Sequence, residues 1–420
     1  MSIKRTFANL SSVIGGEALV RLASFFSLIV IARLYGPATL GYYAAVLATA
    51  TIATQLADNG LQAATAVTEI GRNPDSIDRT VYRLYAAKVM LIIPALLGLI
   101  TFSHYCLPGR TLTVIGGLVI AKAVLQQFAQ LNLAILKAID RMRSIGWIQA
   151  AHFLFLVSGI SVVYVKSLPV YVLFVWLLGG QILEFVLSGR KLWLSGIRPM
   201  PSRIRECLRL AKRSTPVGIT YAVANLIPRI DILVLSVISS GIVVGRFAAA
   251  HMLLTFLYAV AWMSGSVWLP ELVRIGTGYR QNRRFVNKWI TVIFAGSAPC
   301  ALALLLLAPH VVPALYGPAF TETGKLLGIL SLSFPFVIAN GLLLNRAIAL
   351  SETSVFVGIY CGSAASALIL DLVLLQFFGI SGLASGIVLR EILMFSAFQV
   401  LRYRQPQFST LATTASAASD

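Results

Sequence analysis

Charged residues are scarce in this chain, and acidic residues are the scarcest. Of 420 residues only 12% are charged, with 15 Asp and Glu against 34 Lys and Arg, whereas 58% are hydrophobic. Together with a mean hydropathy of +0.85, these fractions lie outside the range of soluble globular proteins. The composition therefore excludes a soluble domain and predicts an integral membrane protein.

Cysteines and catalytic motifs are also sparse. The 4 cysteines are scattered and lack CxxC spacing, so neither a disulfide framework nor a zinc site is predicted. His152 and His251 are isolated from other ligand types, which favours packing over metal binding. The Walker sequence Gly-x-x-x-x-Gly-Lys-Ser/Thr is absent, and no large loop carries a Ser/His/Asp or Cys/His set. We expect a protein that is not an enzyme and that holds no cofactor and no metal.

Long apolar runs occupy most of the sequence. A helix needs about 20 apolar residues to cross a bilayer, and the chain has about a dozen such runs. Their centres lie near Phe25, Ala48, Leu96, Leu125, Leu156, Trp176, Leu226, Leu257, Leu302, Phe336, Leu368 and Ile392. The predicted fold is an all-α membrane protein of about twelve transmembrane helices.

The basic residues follow the predicted loops. Clusters at 137–143 and 190–213 fall on one side of the membrane, and the loops of the other side carry few basic residues. This asymmetry is the positive-inside pattern, and it predicts an even number of helices with both termini in the cytoplasm. A nucleic-acid-binding patch would lack this alternation, so no nucleic-acid partner is expected.

The longest polar break divides the chain into two predicted lobes. Residues 1–195 form an N-terminal six-helix lobe, 196–213 a basic cytoplasmic linker, and 214–420 a C-terminal six-helix lobe. Gly41-Tyr42-Tyr43-Ala44-Ala45 is echoed by Gly245-Arg246-Phe247-Ala248-Ala249, which is consistent with parallel repeats. In transporters of that layout the cargo binds between the repeats, so we expect a central cavity.

Basic side chains within the apolar runs indicate what that cavity binds. A cation near the bilayer centre costs about 2.5–3.5 kcal/mol on insertion scales, so such residues face water or an anion. The predicted substrate-binding cations are Arg21, Lys88, Lys122, Arg229, Arg246, Arg346 and Arg390. For Lys88, Arg246 and Arg346, snorkelling of the charge to the headgroups is an equal alternative.

Polar and acidic residues accompany these cations. Lys122, Gln126 and Gln130 recur every four residues, so they share one helical face that we expect to line the cavity. The two glutamines fit sugar binding and helix packing equally well. Glu17 is spaced to pair with Arg21, either as a neutral structural pair or as a group that controls the availability of a cavity-facing Arg21. The candidates for ion coupling are Glu17, Asp231, Asp371 and Glu391.

Several segments carry a family resemblance. They are Ala32–Pro37 with Leu40–Tyr43, Asp58–Leu61, Ile230-Asp231 with Val244–Ala249, Leu315–Phe320 and Phe378–Ala384. On these segments the chain resembles the bacterial polysaccharide-biosynthesis flippases. Those proteins translocate O-antigen and exopolysaccharide repeat units and belong to the multidrug/oligosaccharidyl-lipid/polysaccharide exporter superfamily.

The resemblance implies a substrate and partners. It implies that undecaprenyl-pyrophosphate-linked oligosaccharide units cross the bacterial inner membrane from the cytoplasmic to the periplasmic leaflet. The implied partners are that polyprenyl-pyrophosphate-linked oligosaccharide, membrane lipids, and polymerase and chain-length machinery. Arg matches phosphate oxygens with a planar fork of donors, and Lys acts as a point charge.

Two other functions stay open at this stage. A multidrug exporter of the same superfamily would share the fold, but a cavity for cationic drugs should be rich in carboxylates. A membrane polysaccharide polymerase should hold catalytic residues in sizeable loops, and the predicted outside loops are short.

Overall fold

The computed structural model describes residues 3–58, 60, 61, 70, 77–106, 110–275, 279–350 and 353–417. Within these ranges the regular structure is helical. Seven helices are long and apolar enough to cross a membrane, or eight if a bent pair counts as one span, in the part of the chain described. Two of the long helices, Ile3–Asp58 and Thr353–Ala417, are broken near their middle, so each contains two of the predicted spans.

Helix α1, Ile3–Asp58, contains the first two predicted spans. It is interrupted at Gly36, which has φ 77° and ψ 178°, and Pro37 follows directly. Glycine adopts this positive φ without steric cost, and proline has no N–H to continue the helical ladder. The Leu-Tyr-Gly-Pro sequence at this turn therefore ends one arm of α1 and starts a second.

The next helices of the chain, up to Ile238, are each continuous. They are α2, Ile77–Cys106; α3, Arg110–Ala138; α4, Met142–Lys166; α5, Val170–Leu194; and α6, Ile204–Ile238. Residues Met1–Gly245 form one compact unit. In it α1 packs against α2, α3, α4 and α6, and α5 packs against α3 and α4. Leucine and isoleucine side chains of α2, α3 and α4 fill one core of this unit.

The remaining helices belong mostly to a second unit, Arg246–Asp420. They are α7, Gly241–Ile275; α8, Tyr279–Tyr316; a 3₁₀ turn, Pro318–Phe320; α9, Thr321–Ser331; α10, Phe334–Ala349; and α11, Thr353–Ala417. Helix α11 is broken at Gly379, with φ 61° and ψ −149°. It therefore contains the last two predicted spans, centred near Leu368 and Ile392.

The tenth predicted span, centred near Phe336, is a broken helix. The segment Pro318–Ser331 meets Phe334–Ala347 at a bend of 44°. An aromatic cluster of Phe294, Phe336 and Phe395 packs α8, α10 and α11 together beside this bend. The division at Gly245 falls later in the chain than the predicted linker 196–213, and the predicted lobe boundaries stay a prediction.

The first glycines of the two predicted repeat motifs, Gly41 and Gly245, approach each other inside the unit Met1–Gly245. A Cβ atom built on Gly41 would lie 2.0 Å from the carbonyl oxygen of Gly241, and one built on Gly245 would lie 1.8 Å from that of Pro37. Only glycine allows backbones to approach this closely. The shared glycine of the two motifs therefore packs the start of the second arm of α1 against the start of α7.

Candidate functional site: basic and polar side chains within the helices

Three predicted cations of the N-terminal unit have no ion pair or hydrogen bond within the described ranges. Arg21 is exposed on the first arm of α1, and Lys122 on α3 and Arg229 on α6 are half-buried. Helix α1 packs against both α3 and α6. Ala50 and Ala53 of its second arm pack against Ile120 and Ala123 of α3. These three cations are available to bind an anion.

The three residues of the predicted polar face of α3 differ in solvent exposure. Lys122 and Gln126 are half-buried and Gln130 is exposed, so the three positions share the partly accessible side of the helix. Gln127, one residue away, is buried and points into the helix packing. That this face lines a cavity stays a prediction, and the neighbouring Gln127 has a structural contact with Lys88.

Lys88 is held by an acid that sequence reasoning did not connect with it. Its side chain is 0% exposed, and Nζ lies 2.6 Å from Oδ1 of Asp58. Nζ also donates to Oε1 of Gln127 at 3.2 Å. The charge is therefore neutralised inside the protein, where α1, α2 and α3 meet, and it does not extend to the lipid headgroups.

Glu17 also has a partner distant in sequence. Its Oε1 lies 3.2 Å from Nζ of Lys137 at the end of α3. Both side chains are partly exposed, at 45% and 38%, so this contact is weak. Arg21 lies one turn further along α1, and the Lys137 contact leaves it unneutralised. The local spacing allowed a Glu17–Arg21 pair, but the packing of α1 on α3 offers Glu17 a different cation.

In the C-terminal unit, two predicted cations are tied to neighbours. The Arg246 guanidinium forms an ion pair with Glu322 at the start of α9, and its Nε donates to the carbonyl oxygen of Ala319 at 3.2 Å. Arg346 is buried, and its Nε donates to Oδ1 of Asn282 at 3.0 Å. These contacts join α7 to α9 and α10 to α8, so both residues have structural partners.

The other predicted residues are mostly deep in the packing. Arg390, Asp231 and Asp371 are buried, the two acids at 0% exposure. Oδ1 of Asp371 would lie 3.4 Å from a Cβ built on Gly386, so the two arms of α11 approach each other there. Glu391 is half-buried and accepts a hydrogen bond from Nδ2 of Asn340 at 2.9 Å. Their assignment to substrate or ion binding stays a prediction.

Sequence reasoning missed a buried polar cluster between α4 and α5. Nδ1 of His152 lies 3.2 Å from Oε2 of Glu184, and Nε2 of Gln181 donates to the same oxygen at 2.7 Å. The interpretation of His152 as isolated from other ligand types was therefore wrong. Glu184 and Gln181 share one face of α5 because they are three residues apart, but no spacing in the sequence predicts that α4 lies opposite.

A second polar cluster lies one turn further along α5. Nδ2 of Asn132 donates to Oγ of Ser188 at 2.9 Å, and the Tyr85 hydroxyl donates to Oδ1 of Asn132. Asn132 and Ser188 are both 0% exposed. A buried amide needs such partners because losing them costs its full desolvation. The cluster links α2, α3 and α5 through polar contacts.

Outside the apolar segments, an ionic contact fixes the start of α6. Oε2 of Glu206 lies 2.6 Å from the Arg83 guanidinium of α2, and Nε of Arg83 donates to Oγ of Ser202 at 2.9 Å. The Ser202 hydroxyl donates to the Glu206 carboxylate. This hydrogen bond, together with the charge of Arg83, lowers the pKa of Glu206.

No metal site emerges in the part of the chain that the structure describes. There, no three His, Cys, Asp or Glu side chains come together as candidate ligands. The chemistry that the described residues offer is charge neutralisation, hydrogen bonding and proton exchange. The described helices and their apolar surfaces define a multi-pass membrane protein of the all-α class.

Comparison with known proteins gives the family. The chain belongs to the polysaccharide biosynthesis protein family, whose model matches residues 6–275. This result confirms the resemblance on which the sequence prediction depended. No curated protein sequence matches the chain.

Solved structures give the fold. The chain is similar to an inward-facing multidrug resistance MATE family transporter of the MOP superfamily, with TM-score 0.74 and 14% identity, covering 94% of this chain and 99% of the other. It is similar to the lipid II flippase MurJ in an inward closed conformation, with TM-score 0.72 and 16% identity over 94% and 87% of the two chains. A Vibrio cholerae MATE transporter, VcmN, has TM-score 0.64 and 14% identity over 97% of each chain. At these identities the similarity shows the fold.

Proposed function

We propose that this protein is a flippase for undecaprenyl-pyrophosphate-linked oligosaccharide repeat units. It moves them from the cytoplasmic to the periplasmic leaflet of a bacterial inner membrane, for assembly of a surface polysaccharide. In this proposal both termini are cytoplasmic, and a polymerase with its chain-length machinery uses the product. The family supports a role in polysaccharide biosynthesis, and the fold supports transport.

The observation that carries the proposal is the set of uncompensated cations in the N-terminal unit. Arg21, Lys122 and Arg229 form no ion pair or hydrogen bond among the described residues, whereas Lys88, which is fully buried, is paired. A protein that needed these charges only for packing would pair them, because an uncompensated cation within the membrane is costly. A pyrophosphate supplies the missing negative charge when it is bound.

The residue types fit that ligand. Arg21 and Arg229 offer planar guanidinium forks that bind two phosphate oxygens at once, and Lys122 offers a compact charge with three donors. Gln126 lies one turn from Lys122 on the same half-buried face of α3, and its amide both donates and accepts hydrogen bonds. We assign the pyrophosphate to the cations and the first sugar to this glutamine face.

A multidrug exporter is the second candidate, because one of the similar structures is a multidrug transporter. Binding of a cationic drug would need free carboxylates. Three acids of the N-terminal unit already have partners: Asp58 contacts Lys88, Glu17 contacts Lys137, and Glu184 contacts Gln181. This arrangement favours the anionic cargo.

The test uses a strain that lacks this protein and accumulates its lipid-linked glycan. Expression of the wild-type chain is expected to restore surface polysaccharide without changing resistance to cationic drugs. Arg21→Gln, Lys122→Gln and Arg229→Gln are expected to reduce export, with protein levels unchanged. Arg274→Gln is the matched control, because Arg274 is 81% exposed and lies 3.6 Å from Glu271 on its own helix. Drug resistance without restored export would support the exporter instead.

A further inference from the structure

We propose that His152 and Glu184 form a proton-binding site inside the N-terminal unit. The imidazole of α4 and the carboxylate of α5 lie 3.2 Å apart, and their side chains are 3% and 7% exposed. The site takes up one proton from water and releases the same proton, with no other bond formed or broken.

The contacts show why the pair holds a proton. The Glu184 carboxylate has one hydrogen-bond donor, the Gln181 amide, which is itself buried. An amide compensates a buried negative charge only in part, so an ionised Glu184 beside a neutral imidazole is costly. One added proton removes that cost, either by neutralising the acid or by converting the contact to an ion pair. The proton belongs to the pair as a whole.

His152 can take part in this exchange through its contact with Glu184. Nδ1 faces Oε2 of Glu184 at 3.2 Å, and Nε2 has no hydrogen-bond partner among the described residues. The ring packs directly on the backbone of α5, since a Cβ built on Gly180 would lie 3.2 Å from Nε2. A proton between Nδ1 and Oε2 would give both buried groups a hydrogen-bond partner.

Polar uncharged side chains flank the pair on both helices. On α4 the pair is preceded by Gln149, whose buried Oε1 has no hydrogen-bond partner within the described ranges and lies against Gly16 of α1. On α5 it is followed by Ser188, which joins Asn132 of α3. The other described charged side chains of α4, α5 and the helices packed on them are Glu17, Arg21, Arg33, Asp58, Lys122, Lys137, Arg143, Lys166, Arg190 and Lys191. Among them, Glu17 pairs with Lys137, and Asp58 pairs with Lys88 of α2.

The donor set selects a proton over a metal cation. A sodium or calcium ion needs several oxygen ligands, and Gln181 directs its N–H, not its oxygen, at Glu184. The one imidazole and one carboxylate are too few for a transition metal. A proton needs only these two groups.

The site gives the proposed flippase a means of energy coupling. Uptake of a proton changes the charge between α4 and α5, and α1, which packs against α4, carries Arg21. This coupling rests on the proposed function, whereas proton binding by the pair does not. The test is therefore made on the protein without any glycolipid.

The experiment is an infrared difference titration. The full-length protein is reconstituted in vesicles of phosphatidylethanolamine and phosphatidylglycerol, and spectra are recorded from about pH 5 to about pH 9, where histidine–carboxylate pairs exchange protons. We expect a protonated-carboxyl band that titrates in this interval and is lost in Glu184→Gln. In His152→Gln its midpoint should shift, because the neighbouring imidazole is gone. Glu17→Gln, whose carboxylate is partly exposed, is the control and should leave the band unchanged.

Each outcome decides the proposal. Loss of the band in Glu184→Gln with a shifted midpoint in His152→Gln supports it. A wild-type protein without a titrating carboxyl or imidazole signal overturns it, whatever the variants do. A band that survives in Glu184→Gln overturns it as well. If the titration is as expected but vesicles carrying undecaprenyl-pyrophosphate-linked glycan show no transport, the flippase proposal fails and the proton site stands.

Discussion

Nζ of Lys88 lies 2.6 Å from Oδ1 of Asp58, with the lysine side chain at 0% exposure. The two residues are 30 positions apart on different helices. A charge removed from water to this degree needs a fixed counter-charge and further hydrogen bonds, and Gln127 supplies one. Lys88 therefore stabilises the junction of α1, α2 and α3 and is distinct from the uncompensated cations that we assign to cargo.

This pair gives a stability prediction. Lys88→Met breaks this buried ion pair by removing its cation, so it should lower the free energy of unfolding by about 3–5 kcal/mol. The double variant Lys88→Met with Asp58→Asn removes both charges and should be more stable than the single variant. Chemical unfolding in detergent micelles measures both. A single variant as stable as wild type would show that the pair contributes nothing.

The contact between the two repeat motifs gives a second prediction. Gly41→Ala and Gly245→Ala each place a methyl group about where a backbone carbonyl oxygen lies, so each should destabilise the N-terminal unit by several kcal/mol or block its folding. Gly117→Ala is the matched control, because a Cβ there meets nothing within 4 Å. It should be neutral or raise stability by about 0.5–1 kcal/mol. Equal effects at all three sites would contradict the close approach.

The contacts of Glu206 with Arg83 and Ser202 at the start of α6 predict a pH effect on stability. Because the pKa of Glu206 is lowered in the folded protein, its stabilisation is present above the unfolded-state value and is lost as the pH falls through the folded-state value. The Met200 amide, which donates to the carbonyl oxygen of Asp78 at 3.2 Å, should then lose hydrogen-exchange protection in acid. In Glu206→Gln that protection should no longer depend on the Glu206 titration. Identical acid profiles in the two proteins would contradict this role.

Composition and periodicity predicted most of the fold. The apolar runs located the helices because a spanning helix must be long and apolar. The break at Gly36 separates the first two of them. The broken helix near Phe336 was not predicted, because its two halves read as one apolar run and the bend is fixed by packing. The break in α11 falls at Gly379, in the Phe378–Ala384 segment that carried part of the family resemblance.

The candidate site was less predictable. Periodicity shows which residues share a helix face, but it does not show which helix lies opposite. Lys88 was therefore separated from Asp58, and Glu17 from Lys137, although both pairs form. The contact of His152 with Glu184 was not predicted for the same reason, because the two residues lie on different helices. Arg21, Lys122 and Arg229 were identified from sequence because their position in apolar runs required no knowledge of partners.

Those three residues also carry the central claim, and one measurement tests it most directly. Purified protein is reconstituted in vesicles with a fluorescent undecaprenyl-pyrophosphate-linked oligosaccharide, and its transfer between leaflets is timed. Each of Arg21→Gln, Lys122→Gln and Arg229→Gln should slow transfer about tenfold or more, as expected for losing a charge-assisted contact to phosphate, and Arg274→Gln should not. Wild-type transfer rates in all three variants would contradict the proposal that uncompensated cations bind the pyrophosphate.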